Sequence, residues 1–420
     1  MSLDVNISEP DEFNCTELHS CIENVARINS LNDFTYHVEF ACGKGENFIA
    51  NVFRVEITDT EDCERKISVI VKTLVNTTRQ ELFRELHKRE VKAYEEVISK
   101  FQILQSKLDV IDRIVLPGCI LSDMKRGNEV LILEDLVSKG YEYDSKVNKL
   151  QNLKYEQVCL VLKNLAKFHA LSVIFELNDK ENFTKLKSEF KDVLYQETFL
   201  DKSKLRNYYK NCYEDSIKLL DDLDARTKLQ NVDTTLMELL RYYTSPRTFN
   251  VLCHGDCWIN NFLFKQKDNI TTDLCFLDFQ AMRYSNPATD VVYFLFLSTD
   301  STFRSQFMKD ILSVYYESFS SFLKLYDIDS NSVYTKDSFE EDVQEMLPYG
   351  LLITLIELRI VTTTFEDKEV ISESKLDLDQ CISNEGNEDI LLKMRVHDVV
   401  KESVQNGTLD RLCDQMKLFN

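Results

Sequence analysis

The groups in this chain best placed to do chemistry lie in His254-Gly255-Asp256-Cys257-Trp258-Ile259-Asn260-Asn261 and in Asp278-Phe279-Gln280 downstream. Phosphoryl transfer needs a carboxylate that orients an attacking hydroxyl and accepts its proton, and hard oxygens that hold a metal against the phosphates. Asp256 fits the first role. Asn261, in the same loop, and Asp278, at the end of the apolar run Leu274-Cys275-Phe276-Leu277, fit the second, because magnesium takes a few oxygen ligands from protein and the rest from phosphate and water. Asn260 competes on composition, and spacing from Asp256 favours Asn261. Each residue alone has an ordinary structural reading, as a loop carboxylate bonded to amides or a turn-forming asparagine. The ordered set carries the weight. His254 reads as a packing and hydrogen-bonding residue, since six His and 12 Cys show no zinc-ligand spacing. Asp290 reads as a helix cap or as an anchor for the loop.

The phosphates need a cation and close-approaching backbone. Lys72 follows the apolar Val69-Ile70-Val71, where a charged side chain must find a partner or face solvent, and Glu90 on the following helix can hold it. Glu81, Glu85 and Glu95 are rivals for that ion pair. Gly43, Gly45 and Asn47, between two strands, form a turn that would let amides approach phosphates, with a plain hairpin an equal reading. Leu131 to Leu136 ends a strand where two lobes would join. The backbone of Glu134, Asp135 and Leu136 could meet an adenine edge there.

These residues need a scaffold. Phe34 to Phe40, Phe48 to Ile57 and Lys66 to Leu74 alternate as antiparallel strands, Gln80 to Phe101 has helical spacing, and Ile114 to Ser122 and Glu129 to Leu133 complete a sheet. Long helices then dominate, clearest over Gln157 to Phe175 and Ser301 to Tyr326. Only short strands interrupt them, at Asn250 to Leu252, Asn261 to Phe264 and Asp273 to Leu277. The fold class expected is α+β and bilobal, with a small sheet-rich N-terminal lobe over 1–135 and a larger, mostly helical C-terminal lobe over 136–420.

The 420 residues suffice for two lobes, and 50 Lys and Arg against 71 Asp and Glu give a net charge of −21, which excludes bulk attraction to nucleic acid or anionic membranes. No signal-peptide pattern opens the chain, the cysteines show no framework, and the apolar stretches Val291 to Leu297 and Gly350 to Ile356 are too short to span a bilayer. A cytoplasmic protein with reduced thiols, a small-molecule partner and no obligate protein partner is expected. Leu165 to Ser172 reads as core, and Trp258 reads equally as packing or as pocket lining.

With these residues in hand, the chain resembles the ecdysteroid kinase-like family, also called CHK-like, which is related to choline kinases and aminoglycoside phosphotransferases. The resemblance runs from about Phe34 to Phe296, with weaker continuation to the C-terminus. It rests on Gly43 to Phe48, Glu90 to Tyr94, Leu133 to Leu136 with Gly140-Tyr141, Leu165 to Ser172, His254 to Asn261, and Asp278 to Gln280. It implies a protein-kinase-like fold and ATP and Mg2+ as cofactors. Asp256 would then be the base, Asn261 and Asp278 the metal ligands, Lys72 and Glu90 the phosphate pair, and Glu134 to Leu136 the adenine hinge. Gly255 stands where many protein kinases have an Arg that receives an activation-loop phosphate, Gln280 stands where they have Gly, and little chain separates Phe279 from Asp290. A small hydroxylated acceptor, an ecdysteroid or another metabolite or xenobiotic, is therefore expected over a protein substrate. A catalytically silent relative that binds nucleotide or an apolar ligand is the alternative.

Overall fold

Strand alternation decides which face of the N-terminal sheet each side chain joins, and so where Lys72 points. A computed structural model describes residues 16–41, 50–74, 80–143, 152–203, 205–268, 270–362 and 387–419. Helix α1 (Thr16–Ile28) is followed by strands β1 (Phe34–Phe40), β2 (Ala50–Asp59) and β3 (Lys66–Leu74), and later by β4 (Cys119–Asp123) and β5 (Val130–Glu134). They pair in the antiparallel order β1-β2-β3-β5-β4. Phe53, Val55, Ile57, Val69 and Val71 pack with Ile22, Val25 and Ala26 of α1, all fully buried. Each such side chain stabilises the lobe by roughly 1.5–3 kcal/mol. Because side chains alternate, Ile70 and Lys72 leave β3 on the opposite face, toward the second lobe. Ile70 accordingly packs on that lobe's core.

The helix expected over Gln80 to Phe101 is longer and not uniform. It comprises α2 (Gln80–Lys92), a π-helical stretch at Ala93–Ile98, and α3 (Ser99–Gln105). The π turn adds one residue per turn and brings Ala93, Tyr94, Val97 and Ile98 inward together. The strand expected from Ile114 begins only at Cys119. Pro117 lacks the amide a ladder needs, and Val115 instead bridges in parallel to Cys275 of the second lobe.

That lobe runs through a 3-10 turn at Val137–Lys139, β6 (Tyr141–Glu142), α4 (Tyr155–Asn178), α5 (Lys180–Glu189), α6 (Glu197–Ser203), α7 (Leu205–Lys218), α8 (Leu223–Val232) and α9 (Leu236–Thr244). Then come β7 (Val251–Cys253), β8 (Phe262–Lys267), β9 (Ile270–Phe276), β10 (Arg283–Ser285), α10 (Ala288–Ser298), α11 (Ser301–Lys324), α12 (Ser330–Val333), α13 (Lys336–Thr362), α14 (Asn387–Gln405) and α15 (Thr408–Met416). By length and composition α4 is apolar enough to cross a bilayer, but 83% of that window is buried inside the protein. It is the central core helix. The apolar stretches Val291 to Leu297 and Gly350 to Ile356 lie in α10, buried along its whole length, and in α13. These two helices meet at Gly350, where a Cβ would stand 2.7 Å from Phe296 Cγ and 2.8 Å from Val292 Cγ1.

Two short ladders frame the chemistry. β7 pairs with β10, placing Cys253 opposite Arg283, and β8 pairs with β9, placing Phe262 opposite Phe276. The loops 254–261 and 277–282 therefore leave one ladder and enter the other side by side. Distant stretches of sequence are brought face to face by this pairing alone.

Candidate active site

Asp256 is held at both carboxylate oxygens. Tyr293 of α10 donates its hydroxyl to Oδ1 at 2.9 Å, and Asn261 donates Nδ2 to Oδ2 at 2.9 Å and to the Asp256 carbonyl at 2.8 Å. Burial, and then the charge of Asp278, raise the Asp256 pKa, opposed by His254, Tyr293 and Asn261. A carboxylate shifted upward is a better proton acceptor near neutral pH than an exposed one.

The loop carrying Asp256 is fixed from below. Asp290, fully buried, accepts from His254 N at 2.6 Å, Gly255 N at 3.0 Å and His169 Nε2 at 3.1 Å, and His169 Nδ1 lies 2.7 Å from the Tyr315 hydroxyl. Asp290 is thus the loop anchor expected from sequence. Burial opposes its charge, but the His169 hydrogen bond and the nearby cations outweigh burial and lower its pKa. Cys253 also lies near His169 and Asp290 at metal-ligand spacing. Burial holds that thiol protonated, its Sγ donates to Ser285 O at 3.4 Å, and both Asp290 oxygens are already occupied, so the cluster is structural. His254 joins the two loops. Burial lowers its pKa, its Nε2–H donates to Leu277 O at 2.9 Å, and Nδ1 accepts from Asp256 N at 3.3 Å.

Gly255 has φ +88°, and a Cβ there would lie 1.9 Å from the Ala281 carbonyl oxygen. The residue is glycine because the two loops touch at this point. The cation beneath the loop comes instead from Arg283, fully buried, which donates Nη1 to Gly255 O at 3.2 Å and Nη2 to the Tyr349 hydroxyl at 3.3 Å and stands 3.6 Å from Asp192.

On the facing loop Asp278 adopts φ +65°, ψ +68°, a left-handed conformation that costs about 1–2 kcal/mol for a residue with a Cβ. Phe279 secures it, stacked on Phe168 at 5.8 Å and edge-on to Tyr94 at 5.4 Å. Asp278 Oδ1 accepts from Lys72 Nζ at 2.9 Å and Oδ2 accepts from Gln280 Nε2 at 3.2 Å. Lys72 also donates to Glu90 Oε1 at 2.7 Å. Burial alone would discharge this lysine, but Asp278 and Glu90 overcome it and raise its pKa. Glu90 is pushed up to about 7 by burial, against the pull of Lys72 and with the help of Asp278. Of its rivals, Glu85 pairs with Lys88 and Glu95 with Ser122. Arg89 fastens α2 to the second lobe, donating to Met282 O at 2.9 Å and Glu189 O at 3.3 Å, and Lys92 pairs with Glu189 at 2.8 Å. Glu90 is thereby held inward.

One ammonium facing two carboxylates, Glu90 buried and Asp278 partly buried, leaves surplus negative charge, and Asn261 commits its nitrogen to Asp256, with no hydrogen bond to its Oδ1 among the described residues. A carboxylate and an amide oxygen beside surplus negative charge fit a hard divalent cation. The hinge side chains serve the fold. Asp135 accepts from Arg54 at 2.9 Å, Ser68 at 2.6 Å and Val137 N at 3.0 Å, Glu134 pairs with Lys139, and Leu136 is buried beside Tyr141 and Leu263. Only backbone is left to meet a ligand there. Gly43, Gly45 and Asn47 lie outside the described residues. Trp258 packs partly buried against the core. Nothing in the sequence singles out Tyr293, Arg283 or Arg89; the one available signal was a lone polar group inside an apolar run, as for Tyr293 within Val291 to Leu297.

A two-lobed fold with a lysine–glutamate pair, a held carboxylate and a metal-ready oxygen pair is the arrangement of a kinase-like phosphotransferase. The profile of the ecdysteroid kinase-like family matches residues 44–328, and the chain belongs to that family. The match begins later than the resemblance read from sequence and ends within its weaker C-terminal continuation. No curated protein sequence matches the chain significantly. Among solved structures, a choline/ethanolamine kinase family protein from Mesorhizobium loti is similar at 11% identity, covering 96% of this chain and 99% of that one, with a TM-score of 0.45. An amicoumacin kinase in complex with AMP-PNP, Ca2+ and Ami is similar at 14% identity, 92% and 93% coverage and a TM-score of 0.43. A Plasmodium vivax ethanolamine kinase is similar at 12% identity, 86% and 81% coverage and a TM-score of 0.41. These are distant likenesses.

Proposed function

We propose that the protein transfers the γ-phosphate of ATP, with Mg2+, to a hydroxyl of a small molecule such as an ecdysteroid-like steroid or another hydroxylated metabolite or xenobiotic. The observation that carries this reading is Asp256, held at both oxygens, facing the Lys72–Glu90–Asp278 cluster across two adjoining loops. Asp256 orients the acceptor hydroxyl and takes its proton as the new P–O bond forms. Lys72 neutralises phosphate charge, and Glu90, fixed through Arg89, keeps Lys72 from following the nucleotide. Asn261 Oδ1 and the Asp278 carboxylate would hold the metal, which supplies charge neutralisation between the phosphates. The segment after Phe279 is used up by a 3-10 turn at Phe279–Ala281, β10 and the start of α10. That leaves no room for a peptide-docking segment and favours a small acceptor. Incubation with Mg-ATP and a library of hydroxylated metabolites, read by mass spectrometry, tests the reading. Products heavier by one phosphoryl group are expected, and ATP binding without any such product would point to a silent binding protein instead.

A further inference from the structure

Next to Asp256 the cleft has a wall that phosphoryl transfer itself does not use. Glu357 lies on α13 two turns beyond Gly350, on the face where that helix meets α10, and α10 carries the Tyr293 that holds Asp256. Tyr349, on the same helix, is bonded to Arg283, which donates to Gly255 O and stands in a 3.6 Å ion pair with Asp192. Asp192 in turn accepts from Tyr195 N at 2.9 Å, and the ring of Tyr195 lies 6.0 Å from that of Tyr209. One chain of contacts therefore ties Tyr195, Tyr209 and the helix that carries Glu357 to the loop of Asp256, and the Asp256 and Glu357 charges act on one another.

These three residues share an unusual property. Tyr195 and Tyr209 are buried and Glu357 is partly buried, but neither hydroxyl nor the carboxyl has a hydrogen-bond or ion-pair partner among the described residues. None of the three polar groups is sealed from solvent, either. Polar groups this deep that the chain leaves unpartnered can bond water or a ligand instead. Three together near the Asp256 loop are free to bond something that is not part of the chain.

We propose that Glu357, Tyr195 and Tyr209 form a second attachment point for the acceptor, binding a further oxygen-bearing group of an uncharged, polyoxygenated molecule whose reacting hydroxyl faces Asp256. The inference rests on the kinase reading above. An anionic acceptor is excluded by the carboxylates of Asp256 and Asp278. The choice between a cationic and a neutral partner turns on the state of Glu357. Burial, followed by the charge of Asp256, pushes its carboxyl up to about 8, so it carries its proton at neutral pH. The other titratable groups around it are Tyr195, Tyr209 and Cys212, Tyr293 of α10, and Tyr349 and Arg359 of its own helix. Burial holds the tyrosines and the cysteine protonated too. A protonated acid beside tyrosine hydroxyls donates to a ketone or ether oxygen and accepts from a hydroxyl; an ammonium would require it to ionise.

The test uses ecdysone and resveratrol as uncharged probes and ethanolamine as the cationic one. Binding is titrated in the presence of Mg2+ and a non-hydrolysable ATP analogue, and turnover is measured separately, on wild type, Glu357→Gln and Glu357→Ala. Thermal melting and nucleotide affinity confirm that each variant is folded. For an uncharged probe, Glu357→Ala should weaken binding and raise KM by about tenfold with kcat little changed, as for one lost hydrogen bond. Glu357→Gln, which stays neutral and still donates, should remain near wild type. Equal damage by Gln and Ala with ethanolamine preferred, no effect of Ala, or no binding of either uncharged probe by wild type would each overturn the inference. Failure of the kinase reading looks different: nucleotide itself would not bind, or no acceptor of any kind would be phosphorylated.

Discussion

Replacing Gly255 by alanine should damage turnover far more than nucleotide binding, and the structure gives the size of the effect. The new methyl would lie 1.9 Å from Ala281 O and 2.6 Å from its carbonyl carbon, where real Cβ contacts essentially never fall below 3.0 Å. The loops must separate by roughly 1 Å, and a displacement of that size in a reacting group can cost about 100-fold in rate. The backbone at φ +88° adds a left-handed penalty of about 1–2 kcal/mol, and forced repacking adds about 1–3 kcal/mol. Over 420 residues, an unfolding entropy of about 2.1 cal/mol/K per residue converts about 3 kcal/mol into a Tm drop of about 3 °C. Lys72 and Glu90 lie across the cleft on the other lobe and do not depend on this contact, although Asp278 shares a loop with Ala281. In a Gly255→Ala variant, ATP-analogue affinity should stay within a few-fold of wild type, the melting curve should move down by a few degrees, and phosphorylated product should fall about 100-fold. Wild-type turnover and melting would refute the reasoning that this glycine is required by the loop contact.

Tyr293→Phe removes one donor from the Asp256 anion. The base acts only when ionised, so activity is present above its pKa and lost as pH falls through it. Removing a hydrogen bond to a charged group, about 1.5 kcal/mol, raises that already elevated pKa by about 1 unit. The acidic limb of the kcat profile should move up by that amount, and a limb that stays or moves down would contradict the role. Asp290→Asn leaves either an amide of the loop or His169 without its acceptor, and should lower both stability, by about 1–3 kcal/mol, and turnover. Because the folded pKa of Asp290 is depressed, its stabilisation is fully present above the unfolded value and is lost as pH falls through the folded one. Denaturation across that acid range should be shallower in the variant.

The β-strands and Lys72 were legible because alternation and a lone charge at the end of an apolar strand are local signals, whereas Glu90 stood among Glu81, Glu85 and Glu95 and only the family resemblance singled it out. Asp256, Asn261 and Asp278 were legible because their spacing is one the chemistry demands. Gly255 was legible only as a departure from the protein-kinase pattern. Its physical cause, the carbonyl of Ala281, appears only when two loops distant in sequence are laid together. Arg283, Tyr293 and Glu357 sit in apolar stretches where periodicity reports core, and their meaning depends on partners from other elements. Glu357, alone between Ile356 and Leu358 in a buried helix, is the one that a lone-charge argument like that for Lys72 could have found. The π turn at Ala93–Ile98 leaves no mark in a pattern that already reads as helix, and Pro117, which does mark the late start of β4, was outweighed by the β-branched residues around it.

Asp256→Asn tests the central claim most directly. It keeps an oxygen for Asn261 to bond but removes the proton acceptor. Phosphoryl transfer to every acceptor used by the wild type should fall by about 10²–10⁴-fold, the usual contribution of a general base, while the dissociation constant for an ATP analogue with Mg2+ stays within a few-fold. Turnover like the wild type in that variant, measured by mass spectrometry of the phosphorylated product, would contradict the account.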